Sequence, residues 1–430
     1  MVHIPETENP RVVIIGGGFA GIKLVKKLKK LPVQTVLFDR NNYHTFQPLL
    51  YQVATAGLEP DSIADPLRKQ LEPIKNFFFR MGEVYSVDTA NNKIITEIGE
   101  LNYDYLIIAT GSKTSFFGNK SIMDHSFPLK QIPQALDLRS HILQNFESAT
   151  IANSIEEVRA RMNIVIVGGG PTGVEVAGAL GELRKSVLPG DYPELDFRQM
   201  QIILVEGAQR LLGSMSEHAS EKALKYLKKF DVQVMLGTLV NSYDGEKAEL
   251  NNGKTINTYT LIWAAGVEGN YPSGLPDSAI IRNRLKVDEF NKVADTENIY
   301  AIGDIAAMTS EEYPNGHPMV AQAAIQQGSH MAENFKRILK GKAPVPFKYK
   351  DKGSMATIGR NKAVVDLPGN VRFGGLMAWF IWMFVHLVSI IGFRNRIIVF
   401  SNWVWNYFTY DKGTRLIIRR FVPKSQKDKK

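Results

Sequence analysis

The feature that most constrains this chain is a glycine-rich turn that occurs twice. The first copy follows the β-branched run Arg11 to Ile15 and reads Gly16-Gly17-Gly18-Phe19-Ala20-Gly21, after which Ile22, Val25 and Leu28 recur at helical spacing. The second follows Asn163 to Val167, reads Gly168-Gly169-Gly170-Pro171-Thr172-Gly173 and continues as Val174, Ala177 and Leu180, 152 positions further on. Another pair of segments, Tyr103 to Gly111 (YDYLIIATG) and Tyr259 to Gly266 (YTLIWAAG), ends 155 positions apart. Two motifs repeated in one order at nearly one offset imply two similar nucleotide-binding domains.

Each glycine has its own chemistry. The first of each copy permits the tight turn, the second lets backbone N–H groups approach a pyrophosphate, and the third allows close helix–strand packing, with the positive helix end facing the phosphates. One such turn alone is weak evidence. Here each copy has an acid at the end of the next strand, Asp39 closing TVLFD and Glu206 closing IILVE, where a carboxylate accepts hydrogen bonds from adenosine ribose hydroxyls. The alternative, two surface acids at strand ends, is disfavoured by the duplication. Glu206 also repels a 2′-phosphate, so NADH is favoured over NADPH, although Arg210, four residues later, could offset this. The interval from third glycine to acid is 18 residues in the first copy and 33 in the second. The extra piece, around Leu183 to Met200 with Pro189, Gly190 and Pro193, reads as a surface insertion.

With 44% hydrophobic and 22% charged residues over 430 positions, the chain can bury large cores, which excludes wholesale disorder and suits two or three domains. It has no cysteine. That excludes a disulfide framework, a zinc–thiolate site, an iron–sulfur cluster and a thiol nucleophile. No metal-ligand or Ser/His/Asp constellation stands out, so no metal site is expected. The opening MVHIPETENP carries no readable secretory signal or transit peptide, and the body is expected to be cytosolic.

The net charge of +9 is unevenly placed. Residues 371–430 hold 11 of the 52 Lys and Arg but two of the 43 Asp and Glu, which leaves the preceding 370 residues neutral. The same segment holds four of the five Trp: Trp379, Trp382, Trp403 and Trp405. Phe373 to Phe393 is 21 residues without a formal charge, flanked by Arg372 and Arg394, which at 1.5 Å per residue is about 30 Å, enough to span a bilayer. Yet Trp379, Trp382, His386 and Ser389 form one stripe, and in Ile397 to Tyr410 the residues Asn402, Asn406 and Thr409 share a face. The pair reads as in-plane amphipathic helices with Trp, Tyr and Arg as interfacial anchors. A single transmembrane helix over 373–393 is the alternative. The basic tail from Arg415 to Lys430 is expected to meet anionic lipid head groups rather than nucleic acid.

A third body element settles the order of the two nucleotide sites. Thr296 to Asp304 reads TENIYAIGD and is followed by Pro318 and the helix-like MVAQAAIQQG. At this point the chain resembles the two-dinucleotide-binding flavoproteins typified by disulfide reductases, over about 350 residues and five ordered motifs. The resemblance implies that the N-terminal fold binds FAD, that the inserted fold binds NAD(P)H, and that Asp304 holds the ribityl chain. It implies FAD contacts from Gly16, Gly18, Gly21, Asp39, Gln47, Thr110, Gly111, Gly303, Asp304 and Ala321, and NADH contacts from Gly168, Gly170, Gly173, Glu206 and Gly266. The helix begun at Pro318 would point its N-terminal N–H groups at the flavin C2 carbonyl and N1. The chain departs from disulfide reductases and sulfide:quinone reductases in lacking their cysteines, so electrons from NADH must leave the reduced flavin directly for an outside acceptor.

Within that superfamily the chain is most similar to the type II NADH:quinone oxidoreductases, the single-subunit, non-pumping NADH dehydrogenases. Asn42 to Leu58 (NYHTFQPLLYQVATAGL) is similar to that family's HxFxPLLYQVATG stretch beside the flavin, and Ala321 to Gly328 (AQAAIQQG) to its AQxAxQxG quinone-site pattern. The resemblance places Gln322 and Gln326 beside the quinone and matches Glu175 to a glutamate near the nicotinamide and quinone sites. Locally, two Gln four apart also suit a solvated helix face, Glu175 also suits its own helix dipole, and His44 reads as a packed loop histidine rather than a catalyst.

The expectation is therefore an α/β protein of two Rossmann-like dinucleotide-binding domains, for FAD and NADH, with a C-terminal membrane-anchoring helical segment. The FAD domain would comprise 1–125 and 286–370, with a helical connection at 126–160, an NADH domain at 161–285 and a membrane module at 371–430. The expected activity is FAD-dependent NADH oxidation with reduction of a membrane quinone to quinol, monotopically at the cytoplasmic side of the cell inner membrane. A homodimer is an allowed assembly. The rival readings are a reductase serving a protein acceptor and a slow-turnover redox-sensing flavoprotein.

Overall fold

A computed structural model describes residues 1–72 and 74–422 of the chain. The chain divides into two compact units, the first comprising Met1–Thr45, Asp65–Lys113 and Val267–Lys352, the second Phe46–Ala64, Thr114–Gly266 and Gly353 onward.

The first unit is built on a five-stranded parallel sheet in the order Ile299–Ala301, Tyr105–Ile108, Arg11–Ile15, Gln34–Asp39, Phe77–Met81. Its central strands are almost unbroken apolar runs because both faces are covered. Alternation decides which face: Val13, Ile15, Val36 and Phe38 enter one core, while Val12, Ile14 and Leu37 enter the other with the helix Phe19–Leu28. The 18-residue helix Ala321–Ile338 shares that second core. It crosses the first helix so closely that a Cβ at Gly328 would meet the carbonyl oxygen of Ala20 at 2.5 Å.

The second unit repeats the design. Its parallel sheet runs Phe127–Pro128, Thr260–Trp263, Ile164–Val167, Ile202–Glu206, Val232–Leu236. In both sheets the strand before the glycine turn is central, with the acid-ended strand on one side and the strand that leads into Ala-Thr-Gly or Ala-Ala-Gly on the other. Strand order reverses at that central strand, which opens a crevice at the carboxyl ends where α/β sheets bind ligands.

The expected surface insertion is instead packed. The helix begun at Pro171 runs to Ser186, and Leu188, Tyr192, Phe197 and Met200 are buried. The Tyr192 and Phe197 rings each lie 5.7 Å from Phe146 on the helix Ile132–Ala149. The Pro and Gly signals locate a turn; the apolar residues between them decide its burial.

The apolar run 373–393 is not one helix. Phe373 and Gly375 pair with Val365 and Ala363 in a three-stranded antiparallel sheet, and the helix that follows, Leu376–Ser389, has 14 residues and a length of about 21 Å. Gly375 at φ 77° stands before this helix and Gly392 at φ 88° before the next. Among the described residues no helix is long and apolar enough to cross a membrane, which overturns the single-span alternative. The last helix, Phe393–Thr409, is amphipathic with its polar face inward: Asn395 donates to the carbonyl of Ala64 at 2.9 Å, Asn402 to Glu59 at 2.7 Å, and Asn406 to the carbonyl of Gly57 at 3.2 Å. Beyond it Arg415 pairs with Asp191 at 2.6 Å and Arg419 with Asp137 at 2.5 Å, so part of the basic tail is neutralised by its own unit. Lys424, Lys427, Lys429 and Lys430 lie outside the described residues.

Candidate functional site

The two glycine turns have the same internal wiring. In the first unit the Gly17 N–H donates to Asp39 at 2.6 Å, and in the second the Gly169 N–H donates to Glu206 at 2.5 Å. The other oxygen of each acid accepts from the residue two positions on, Asn41 at 2.7 Å and Ala208 at 2.7 Å. Gly16 at φ 108° and Gly168 at φ 109° make the tight turn in backbone geometry that favours glycine. A Cβ at Gly21 or Gly173 would strike the carbonyl oxygen of Gly16 or Gly168, so these glycines let the helix start against the turn. Gly18 and Gly170 differ: a Cβ on either would meet no heavy atom within 4 Å among the described residues. Neighbouring protein atoms therefore do not require glycine at these two positions, and the open space leaves room for a phosphate to approach the backbone.

The first unit fits a flavin dinucleotide on further grounds. Gly111, in left-handed backbone at φ 68°, has open space where a Cβ would stand, and Oγ1 of Thr110 is buried without a hydrogen-bond partner among the described residues. Asp304 accepts from the Ser112 hydroxyl at 2.6 Å, and the Gly303 N–H donates to Gln327 at 2.6 Å. Gln327, buried and unnoticed in the sequence, thereby ties the Gly303-Asp304 segment to the helix Ala321–Ile338. That helix is N-capped by Val320, and Pro318 stands three residues before its first residue rather than at its start. His44 is buried, stacks edge-on to Phe19 at 4.8 Å and lies 3.1 Å from the Gly17 carbonyl through Nδ1. Burial lowers its pKa to about 4, so the ring is neutral near pH 7, with the proton on Nδ1 facing the carbonyl. Burial likewise raises the Asp39 carboxyl above its ordinary value against the pull of its N–H donors.

Gln322 and Gln326 lie on one face of their helix, and both amides are engaged. Gln322 accepts from the Lys352 N–H at 2.9 Å and donates to Asp351 at 3.2 Å. Gln326 accepts from the Lys350 N–H at 3.0 Å and donates to the Lys350 carbonyl at 2.9 Å. The two side chains thus hold the segment 350–352 along the helix. Ala321 opens that helix, and Gln47, exposed, belongs to the second unit.

In the second unit Glu175, on the helix Pro171–Ser186, is buried. Its Oε1 lies 3.4 Å from the Thr357 N–H, and burial raises its carboxyl to about 8. The Trp382 indole flanks the same carboxyl, but its Nε1 lies outside hydrogen-bond geometry to any described acceptor. Thr357 and Trp382 also line an open groove walled by Tyr51, Trp379, Trp403 and Tyr407. One end is charged: Arg360 lies 3.6 Å from Glu182, and Lys412 approaches the same carboxylate at 3.8 Å. Arg360 also donates to the carbonyls of Asn406 at 2.5 Å and Tyr407 at 2.7 Å, satisfying the last carbonyls of the final helix. The sequence indicates none of these partners, because they converge from four separate segments.

Residues 10–328 match the pyridine nucleotide-disulphide oxidoreductase family, and residues 352–410 match the NDH2 C-terminal domain. Over 95% of its length the chain is 35% identical to the type II NADH:quinone oxidoreductase of Mycobacterium tuberculosis, covering 91% of that protein. The chain belongs to the type II NADH:quinone oxidoreductases. A family member from Staphylococcus aureus is 30% identical over 83% of this chain and 89% of its own. Among solved structures, NDH2 from Plasmodium falciparum in complex with NADH superimposes with a TM-score of 0.87 at 22% identity, over 96% of this chain and 100% of that one. A sulfide:quinone oxidoreductase from Aquifex aeolicus shares the fold at a TM-score of 0.70 and 20% identity. Family membership makes the protein an oxidoreductase that uses flavin and NADH, and the absence of cysteine separates it from dithiol chemistry.

Proposed function

We infer that this chain oxidises NADH at a bound FAD and passes both electrons to a quinone, releasing quinol without pumping protons. The observation that carries the reading is the pair of glycine turns with Gly18 and Gly170 open and Asp39 and Glu206 closed onto them, in a chain with no cysteine to divert electrons. FAD when bound supplies the two-electron centre that takes hydride from NADH and reduces the quinone, with one further proton taken up. The first turn, Thr110, Gly111 and Asp304 hold it. The second turn binds the pyrophosphate of NADH, and the spare lone pairs of Glu206 accept from the adenosine ribose. Arg210 leaves Glu206 unopposed, since its guanidinium donates to the carbonyls of Gly213 at 2.6 Å and Met215 at 2.8 Å; that favours NADH over NADPH. Gln322 and Gln326 border the quinone and position the segment 350–352. Glu175, protonated at neutral pH, supplies a buried acid for quinone reduction.

The chain works from a lipid surface, where a hydrophobic quinone is concentrated. The two last helices turn their polar or tightly packed residues inward and their apolar ones out: Trp382 is 2% exposed, Phe384 is 68% and Phe408 is 77%. That is the reverse of a helix on a water-facing surface. Arg372 and Arg394, both exposed at the ends of this apolar stretch, suit lipid head groups. The test is spectral: NADH should bleach the flavin of the purified protein and a short-chain quinone should restore it. Turnover below about 1 s⁻¹ with quinone, or restoration only by an added carrier protein, would favour the rival readings.

A further inference from the structure

One residue of the second unit breaks a local rule at the nucleotide crevice. Phe117 has φ 50° and Gly118 has φ 77°, and the Asn119 N–H closes the turn onto the Phe116 carbonyl at 2.9 Å. Two left-handed central residues with that hydrogen bond make the arrangement of a type I′ turn, which calls for Asn, Asp or Gly in the place Phe117 occupies. A bulky aromatic in left-handed backbone is strained, and hydrophobic burial does not offset it: Phe117 is 73% exposed.

The neighbours show that this exposure is imposed. Phe116 stacks on Trp263 with centroids 6.0 Å apart and packs against the core, while the Trp263 indole donates to the Ser115 carbonyl at 2.8 Å. The Ser115 N–H in turn donates to the Gly266 carbonyl at 3.3 Å. These bonds fix the chain on both sides of the Ala264-Ala265-Gly266 loop and turn the next ring outward. The Phe117 ring then lies directly on Gly266, where a Cβ would meet its Cζ at 2.5 Å.

Its place relative to the sheet identifies which part of the dinucleotide it meets. Glu206 ends the strand on one side of Ile164–Val167 and Gly266 follows the strand on the other side. An NADH whose adenosine ribose is held at Glu206 and whose pyrophosphate crosses the Gly168–Gly173 turn carries its nicotinamide half toward Gly266. We propose that Phe117 is the nicotinamide-side binding residue: its exposed ring packs against the nicotinamide half of NADH and orients it. A planar apolar ring on a rigid, strained turn suits an aromatic partner, because offset or edge-on ring pairs add attraction beyond buried area while the fixed backbone limits the ordering cost.

The proposal rests on the second unit being the NADH site, and the test separates the two. Equilibrium binding of NAD⁺ and of ADP-ribose, which lacks the nicotinamide, is measured on the FAD-loaded protein. Phe117→Ala and Phe117→Leu should weaken NAD⁺ roughly three- to tenfold and leave ADP-ribose unchanged, Phe117→Tyr should restore NAD⁺, and Phe117→Gly, which relieves the backbone, should not lower Tm. Glu206→Ala should weaken both ligands. NAD⁺ affinity unchanged in the Ala and Leu variants, NAD⁺ and ADP-ribose weakened together by them, or a Tm lowered by several degrees in Phe117→Gly would each overturn the assignment of Phe117. If Glu206→Ala alters neither ligand, the NADH-site reading itself falls.

Discussion

The backbone N–H of Thr357 faces the carboxyl of Glu175 at 3.4 Å, a long contact that favours the anion too weakly to offset its burial. Burial therefore dominates and raises the carboxyl to about 8. Between its unfolded value near 4.5 and its folded value the native state keeps a proton that the unfolded chain has lost. Stability should consequently fall as pH rises through that window, by up to about 1.4 kcal/mol per unit. Glu175→Gln keeps the shape and removes the titration. Its Tm should be flatter than wild type from pH 5 to 8 and higher above that; parallel Tm profiles for the two proteins would remove Glu175 as the cause.

The same proton matters for turnover. In Glu175→Gln, NADH should still bleach the flavin, because hydride transfer needs no protein base, whereas reoxidation by quinone should slow by roughly tenfold or more, the usual worth of a placed acid. Stopped-flow spectra resolve the halves. Equal loss in both would assign Glu175 to the nicotinamide rather than to the quinone.

Glu206 accepts from Gly169 and Ala208, and among the described residues no cation pairs with it, since Arg210 is committed to its own loop. Glu206→Ala removes a charged acceptor worth about 1.5–3 kcal/mol, so the KM for NADH should rise roughly ten- to a hundredfold. NADPH, no longer repelled, should lose far less. A variant that still discriminates against NADPH as wild type does would place the selectivity elsewhere.

Gln327 predicts a different failure. It is buried and accepts the Gly303 N–H at 2.6 Å, so Gln327→Leu strands a buried donor at a cost of about 1–3 kcal/mol next to Asp304. The variant should melt earlier and lose FAD on gel filtration, with both effects reduced by excess FAD through mass action. Full retention of flavin at wild-type Tm would show that Gly303 finds another partner.

Legibility followed the range over which each feature acts. Gly16, Gly18, Gly21 and Asp39, and their counterparts Gly168, Gly170, Gly173 and Glu206, act within one strand–turn–helix, so residue type and spacing name them from the sequence. Gln322 and Gln326 were readable as one helix face, but not as holders of the segment 350–352, which comes from elsewhere in the chain. The apolar run 373–393 does not reveal where its helix starts, because apolarity fixes burial or lipid contact and not secondary structure; Phe373, Gly374 and Gly375 belong to a strand. Asn402, Asn406 and Thr409 reveal an amphipathic helix but not which side is inside, since that depends on the Glu59 carboxylate and the carbonyls of Gly57 and Ala64 waiting to be satisfied. Phe117 left one signal, a Phe-Gly pair before an N-capping Asn, and its meaning required the backbone dihedral.

The outward apolar face yields the last prediction. Phe384 and Phe408 stand on the two C-terminal helices, are mostly exposed, and take no part in the groove or the nucleotide turns. If lipid covers them, each contributes a share of the roughly 1.5–3 kcal/mol that full burial of a Phe side chain provides, and replacing each by Ser should cut vesicle partitioning about tenfold. Flotation of wild type and the double Phe384→Ser, Phe408→Ser protein with phosphatidylcholine vesicles, with and without an anionic lipid, measures this. In detergent, turnover with a short-chain quinone should be unchanged, because the reacting groups are intact. With quinone confined to the vesicles, the double variant should be slow at low lipid and recover as lipid is raised. Undiminished flotation of the double variant would show that this face meets something other than lipid.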